Sequence, residues 1–127
     1  MKTKERLFWE TYNGKRIINI NYAGLNSSTP QDEKEALDFA DIVHEFIMNA
    51  GKDLLIFVDV TDSYASSATT KKLKENLKEE KPLIAKEAVI GINKAKSILL
   101  KGLNLFSKVE ICAFETEKEA KDWLTKN

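Results

Sequence analysis

Five consecutive apolar residues at positions 54–58 (LLIFV) lie between Asp53 and Asp59. An uninterrupted apolar run of this length is typical of a strand that is buried on both faces of a sheet. Such a strand needs helices on each side, so the run predicts an α/β protein with a mostly parallel sheet. With 127 residues, the chain is long enough to form a single domain over 1–127 around one buried core.

A β-hairpin is predicted near the N-terminus. Asn13-Gly14 separates two strand-like segments at 6–12 and 15–22. Asn-Gly is the pair that a type I′ hairpin turn prefers, because both central residues of that turn take positive φ. Two further strands are predicted at 88–92 (AVIGI) and 109–114 (VEICAF), the latter as a half-exposed edge strand. These segments together predict a five-stranded sheet.

About four helices alternate with the later strands. Thr29-Pro30 is a typical helix start, since Thr is a good N-cap and Pro suits the first helical position. Thr116, three residues before Glu119, is typical of a capping box. The helices are predicted at about 30–50, between 67 and Pro82, at about 93–106, and from Thr116 to 124. Because crossovers between parallel strands are right-handed, this order predicts helices packed over the sheet.

The composition narrows the possible function classes. Lys and Arg (20) balance Asp and Glu (20), so no global field attracts nucleic acid or anionic lipid. The single cysteine, Cys112, excludes an intramolecular disulfide and a CxxC redox or zinc motif. No segment approaches the roughly 20 apolar residues that cross a bilayer, and the N-terminus lacks the apolar run of a signal peptide. We therefore expect a cytoplasmic protein without a transmembrane segment.

Several segments together resemble a known family. They are the hairpin ending GKRIININYAGL, the strand-to-loop segment LLIFVDVTDS, AVIG, ILLKGLNLFS and the closing FETEKEAKDWL. This pattern extends over nearly the whole chain and resembles the SpoIIAA-like branch of the STAS domains (sulfate transporter and anti-sigma factor antagonist). The resemblance implies a SpoIIAA-like fold and a regulatory domain that binds a partner protein.

The resemblance also implies a phosphorylation candidate. In the better-understood antagonists, a partner kinase phosphorylates a serine that follows an aspartate, at the start of the helix after the central strand. Asp62-Ser63 is the nearest match here, although Tyr64 follows where the family has a small residue and then glycine. A phosphate on Ser63 beside Asp62 would add like-charge repulsion and disrupt a docking face.

The loops after the parallel strands are the expected place for a partner or ligand, because they converge at the carboxyl edge of the sheet. Ser66 and Ser67 would also present the backbone N–H groups of a helix start to an anion. The alternative is that the polar residues of these loops only cap helices and form turns. The candidate residues are Asp59, Thr61, Asp62, Ser63, Ser66, Ser67, Asn93 and Lys94, with Asn26, Ser27, Glu115 and Thr116 in the neighbouring loops.

No catalytic or metal-binding set is predicted. Asp59 and Asp62 could form an acid–base or metal-ligand pair, but no His, Cys or third carboxylate lies near them in sequence. His44, the only histidine, is expected at the edge of the apolar face of its helix. Cys112 has no cationic neighbour in its strand that would activate it as a nucleophile. We therefore expect a protein that is not an enzyme and uses no metal or cofactor.

The predicted helix at 93–106 is more apolar than one buried stripe needs. Its apolar residues are Ile98, Leu99, Leu100, Leu103, Leu105 and Phe106, with lysines around them. A core helix, a homodimer face, a pocket for a hydrophobic ligand and a membrane-surface contact all fit this composition.

Two function hypotheses follow from these patterns. The first is a non-enzymatic regulatory module that meets a protein partner through the loop at 59–67. The alternative is a small hydrophobic-ligand or lipid-binding protein with its pocket along the helix at 93–106.

Overall fold

The computed structural model describes residues 3–25, 29–93 and 111–126. The strands in these ranges are β1 (Leu7–Tyr12), β2 (Lys15–Asn21), β3 (Leu54–Asp59), β4 (Ile84–Ile90) and β5 (Ile111–Phe114). The helices are α1 (Thr3–Arg6), α2 (Pro30–Met48), α3 (Ser67–Glu80) and α4 (Glu117–Thr125), and a 3₁₀ turn at Lys81–Leu83 joins α3 to β4. Within the described ranges, no helix has the length and apolar character needed to cross a membrane.

The strands form one sheet in the order β1-β2-β3-β4-β5. β1 and β2 are antiparallel, and the turn between them has positive φ at both Asn13 (50°) and Gly14 (78°). β2, β3, β4 and β5 are parallel to one another. The predicted α/β class, the mostly parallel five-stranded sheet and the N-terminal hairpin are confirmed.

Helices cover both faces of the sheet. On one face, α2 and α3 pack over a core that includes Phe39 and Ile56. On the other face, Ala120 and Leu124 of α4 pack against Phe57 of β3. Successive residues of β3 therefore point into two different cores, which explains why its central run contains no polar residue.

Side-chain caps determine where two of the helices begin. The Thr29 hydroxyl accepts a hydrogen bond from Asp32 N at 3.1 Å, and the Thr116 hydroxyl accepts one from Glu119 N at 3.2 Å. Each hydroxyl satisfies one of the backbone N–H groups that the first turn of a helix leaves without a partner. Both predicted helix starts are confirmed, and Glu115, just before the second, is exposed.

The prediction for the fourth strand was wrong at both ends. β4 begins at Ile84 rather than at residue 88, because its first residues pair with β3 even though Lys86 and Glu87 are polar. It ends before Gly91, which has a φ of +86°. The short helix α1 was not predicted at all. The predicted helix at 93–106 lies outside the described residues, apart from its first residue.

Candidate functional site

The loop between β3 and α3 is fastened to the segments that follow β2 and β4. Gly24 N donates a hydrogen bond to Thr61 O at 3.0 Å, and Tyr64 N donates one to Leu25 O at 3.0 Å. On the opposite side, Gly91 lies so close that a Cβ added to it would be 2.7 Å from Thr61 Cα. The ends of β2, β3 and β4 therefore meet at one edge of the sheet.

The Asp59 carboxylate accepts hydrogen bonds from the loop that follows it. Its Oδ1 accepts hydrogen bonds from Thr61 N at 2.9 Å and from Thr61 Oγ1 at 2.7 Å. Asp62 is exposed and takes a left-handed φ of 54°, a conformation that Asp tolerates in turns. Both aspartates therefore have turn-forming roles. In the part of the chain that the structure describes, no three His, Cys, Asp or Glu side chains are grouped so that they could hold a metal ion.

Ser63 is half-buried and its hydroxyl is already engaged. Ser63 Oγ donates to Val60 O at 2.7 Å, and Ser63 N donates to the same carbonyl at 3.1 Å. The next residue, Tyr64, is 61% exposed. A kinase would have to release the bond to Val60 before it reached the Ser63 hydroxyl, whereas the Tyr64 ring is open to solvent.

The remaining candidate residues lie at the start of α3, after β4, or outside the described residues. Ser66 is the N-cap of α3: its hydroxyl accepts from Thr69 N at 3.2 Å and donates to Thr69 Oγ1 at 3.1 Å. Ser67 is the first residue of α3 and is exposed, as is Asn93 after β4. The candidates outside the described residues are Asn26, Ser27, Lys94, Ile98, Leu99, Leu100, Leu103, Leu105 and Phe106.

A cavity of about 170 Å³ lies beneath this loop, between the sheet and helices α2 and α3. Ser63, Tyr64 and Ala65 form its wall on the loop side. An engineered apolar cavity of about 150 Å³ in another protein binds benzene, so a volume of this size suits a small apolar group. Most of the wall is apolar and includes Ile20, Val43, Val58, Leu73, Leu77 and Val89.

Tyr22, Glu80 and Glu87 bring ionisable groups to the cavity wall. Burial of the carboxyl group raises the pKa of Glu87 to about 8, with a smaller contribution from the negative charge of Glu80. Burial also raises the pKa of Glu80, although its hydrogen bond with His44 opposes the shift. Burial and the two nearby carboxylates raise the pKa of Tyr22. The polar part of the cavity is therefore acidic in character.

His44 joins α2 to α3. Its Nδ1 lies 2.6 Å from a carboxylate oxygen of Glu80, and its Nε2 lies 3.0 Å from one of Glu79. Burial acts to lower the pKa of His44, but the hydrogen bonds and charges of these glutamates outweigh it, so the pKa is raised. His44 is half-buried, in keeping with the boundary position that its sequence context indicated, and only the structure reveals its partners on α3.

Glu87 was missed at the level of sequence, because it precedes the predicted strand at 88–92. In the sheet, Glu87 lies in register between Ile56 of β3 and Ile111 of β5, and it is 8% exposed. An earlier start of the strand would have put Glu87 on the same face as Val89, since side chains two residues apart point the same way. That alternation was the available signal.

A crystal structure from Shewanella loihica PV-4 is similar to this chain over most of its length. It is that of an uncharacterized protein from the DUF3478 family with a SpoIIAA-like fold; the TM-score is 0.69, the sequence identity is 16%, and the match covers 93% of this chain and 91% of that one. The fold is SpoIIAA-like. At this identity the likeness concerns the fold alone, and it is the fold that the sequence resemblance implied. No protein-family model and no curated protein matches the chain.

Proposed function

We propose that residues 1–127 form one non-catalytic domain that binds a small hydrophobic ligand in the cavity between the sheet and helices α2 and α3. The cavity itself, about 170 Å³ with mostly apolar walls, carries the proposal. Protein interiors usually contain few voids larger than a water molecule. An apolar occupant would remove its own surface and that of the wall from water, which stabilises the bound state by about 25 cal/mol per Å² of apolar surface buried.

The position of the cavity supports the same function. Val58 and Val60, at the end of β3, and Val89 and Ile92, at the end of β4, all line it. In open α/β sheets, ligands bind beyond the carboxyl ends of the parallel strands. The β3–α3 loop that borders the cavity begins at this edge, so a movement of the loop would give a ligand access.

Titration of the full chain with hexan-1-ol, a neutral six-carbon probe, tests the proposal. Ala36 lines the cavity and is 4% exposed, so the three carbons added by Ala36→Leu would occupy the volume intended for the ligand. We expect this variant to weaken binding, measured by NMR chemical shifts, by at least about tenfold, which is about 1.4 kcal/mol. Ala68→Leu, at an exposed position of α3, is the matched control and should bind like the unchanged protein. If the unchanged protein shows no saturable binding, the ligand proposal is wrong.

A second candidate function is regulatory interaction with a partner protein through the β3–α3 loop. Tyr64 favours it, because this ring is 61% exposed on a backbone held by a hydrogen bond to Leu25. Tyr is enriched among the residues that dominate binding energy at protein interfaces. The resemblance to anti-sigma-factor antagonists, which act by binding a partner, points to the same use of the loop.

One mass measurement addresses both candidates. Protein purified from its own cells is weighed under native conditions and again after denaturation. Added mass that vanishes on denaturation supports a bound ligand or a second subunit, and the size of the difference separates the two. A phosphate that survives denaturation and maps to Ser63 supports the switch, and Ser63→Asp should then weaken partner binding. A phosphate on Ser66 or Ser67 instead would contradict a switch at Ser63.

A further inference from the structure

Glu87 is a buried carboxyl group in a largely apolar setting. It is 8% exposed, and its neighbours in the sheet register, Ile56 and Ile111, are both apolar. Among the described residues, none makes a hydrogen bond or ion pair with its carboxyl group. No polar side-chain atom in these ranges is sealed off without a partner, so the Glu87 oxygens must be open to the cavity that the residue lines. Holding such a group in its ionised form without a partner of opposite charge costs free energy in this apolar setting.

The groups that face Glu87 across the cavity are acidic or neutral. α3 contributes Glu80, and the segment after β2 contributes the Tyr22 hydroxyl. On α2, the lining residues are apolar; His44 is not one of them, and both its ring nitrogens are paired with Glu80 and Glu79. β3 and β5 contribute only apolar side chains, and the described lining residues include no lysine or arginine. The described part of the wall can therefore accept a hydrogen bond from a ligand. It has no lysine or arginine that could pair with a ligand carboxylate.

We propose that the cavity binds a small amphipathic amine, with its alkyl part against the apolar wall and its ammonium group hydrogen-bonded to Glu87. The inference rests on the ligand-binding function proposed above and adds the chemical class of the ligand. An ammonium group has three donors and no acceptor, and its hydrogen bond to a carboxylate is about twice as strong as a neutral one. A carboxylate ligand would instead place a third acidic group beside Glu80 and Glu87, which like-charge repulsion opposes once Glu87 is ionised.

Amine binding should depend on pH in a defined direction. Burial raises the pKa of Glu87 to about 8, so in the empty cavity this group must lose a proton before it can pair with an ammonium. Below pH 8, each added pH unit should therefore strengthen amine binding by up to about tenfold, while binding of a neutral alcohol stays nearly constant. Loss of the His44 proton would act in the same direction, and substitution of Glu87 separates the two contributions.

The test is a titration of the full chain with hexylamine, hexan-1-ol and hexanoate at pH 6, 7 and 8. The three probes share a six-carbon chain, so differences between them report on the head group. At pH 8 we expect hexylamine to bind about tenfold more tightly than hexan-1-ol, in line with one charge-assisted hydrogen bond, and hexanoate to bind most weakly.

Glu87→Gln provides the decisive variant. It should abolish both the preference for hexylamine and the pH slope, while hexan-1-ol affinity changes less than about threefold, or about 0.65 kcal/mol. Because glutamine has nearly the shape of a protonated glutamate, the variant should fold, and its NMR spectrum checks this. Glu75→Gln, at an exposed position of α3, is the matched control and should leave all three affinities unchanged.

The outcomes separate this inference from the function on which it rests. If none of the three probes binds, ligand binding in the cavity and the amine inference both fail. If hexan-1-ol binds and hexylamine has no advantage, or hexanoate binds most tightly, only the amine inference is overturned. It is also overturned if Glu87→Gln keeps the hexylamine preference and the pH slope.

Discussion

The carboxyl end of β4 packs tightly against the β3–α3 loop, and Gly91→Ala would disturb this contact. Gly91 has a φ of +86°, and an added Cβ would lie 2.7 Å from Thr61 Cα and close to Thr61 N. Thr61 has little freedom to move away. Its N–H is hydrogen-bonded to Asp59 Oδ1 at 2.9 Å, and its carbonyl accepts a bond from Gly24 N at 3.0 Å.

Two costs should add in the Gly91→Ala variant. The left-handed backbone costs a residue that has a Cβ about 1–2 kcal/mol. Overpacking against neighbours that cannot relax costs about 1–3 kcal/mol more. We therefore expect the free energy of unfolding to fall by about 2–5 kcal/mol, a large part of the roughly 5–15 kcal/mol that a typical domain has.

Urea unfolding followed by the fluorescence of Trp9 and Trp123 measures this loss. The matched control is Gly24→Ala, because Gly24 also has a positive φ (+76°) but a Cβ there would meet no atom within 4 Å. It should lose only the backbone cost, about 1–2 kcal/mol. Equal losses in the two variants would refute the packing argument. Adding Thr61→Ala to Gly91→Ala should rescue stability only in part, since the Thr61 backbone also blocks the added Cβ.

Three further predictions use the same unfolding assay. Phe39→Ala removes a side chain with no exposed surface and should cost about 3–5 kcal/mol, whereas Ile42→Ala, 40% exposed on the same helix, should cost less than about 1 kcal/mol; similar losses would contradict the assigned core. Ser66→Ala removes the N-cap of α3 and should cost about 1 kcal/mol, with Ser67→Ala nearly neutral. The pKa of Glu87 in the folded protein is raised from 4.5 to about 8, so between these pH values the folded state holds a proton that the unfolded state has lost. The free energy of unfolding should therefore fall as the pH rises from 4.5 to 8, by at most about 1.4 kcal/mol per pH unit. Glu87→Gln should flatten that slope, and an unchanged slope would contradict the assignment.

Local chemistry explains which elements the sequence predicts correctly. The Asn13-Gly14 turn needs positive φ at both residues, and the helix starts at Thr29 and Thr116 need a hydroxyl placed three residues before a backbone N–H. These requirements involve only neighbouring residues, so they are visible without the fold. The predicted start of β4 was wrong because it depends on pairing with β3, and the alternation of Glu87 with Val89 does not by itself show where that pairing begins.

The sequence predicted where the candidate site lies but not which hydrogen bonds its side chains make. Sequence reasoning places Asp59 and Ser63 in the loop after the central strand; the structure has Ser63 in that loop and Asp59 as the last residue of β3. Their bonds to Thr61 and to Val60 depend on the exact path of the loop, which the neighbouring segments after β2 and β4 impose. Residue types alone therefore did not reveal that both side chains are already engaged.

The sequence by itself determined the class of the fold, because apolar runs, turn pairs and helix caps act over a few residues. Only the tertiary structure decided that a cavity lies between the sheet and helices α2 and α3, and that Glu87 stands in its wall. Burial depends on which distant segments cover a residue, and burial sets the pKa of that carboxyl group and the hydrogen-bond partners within its reach. The chemistry of the cavity is for this reason a property of the folded chain.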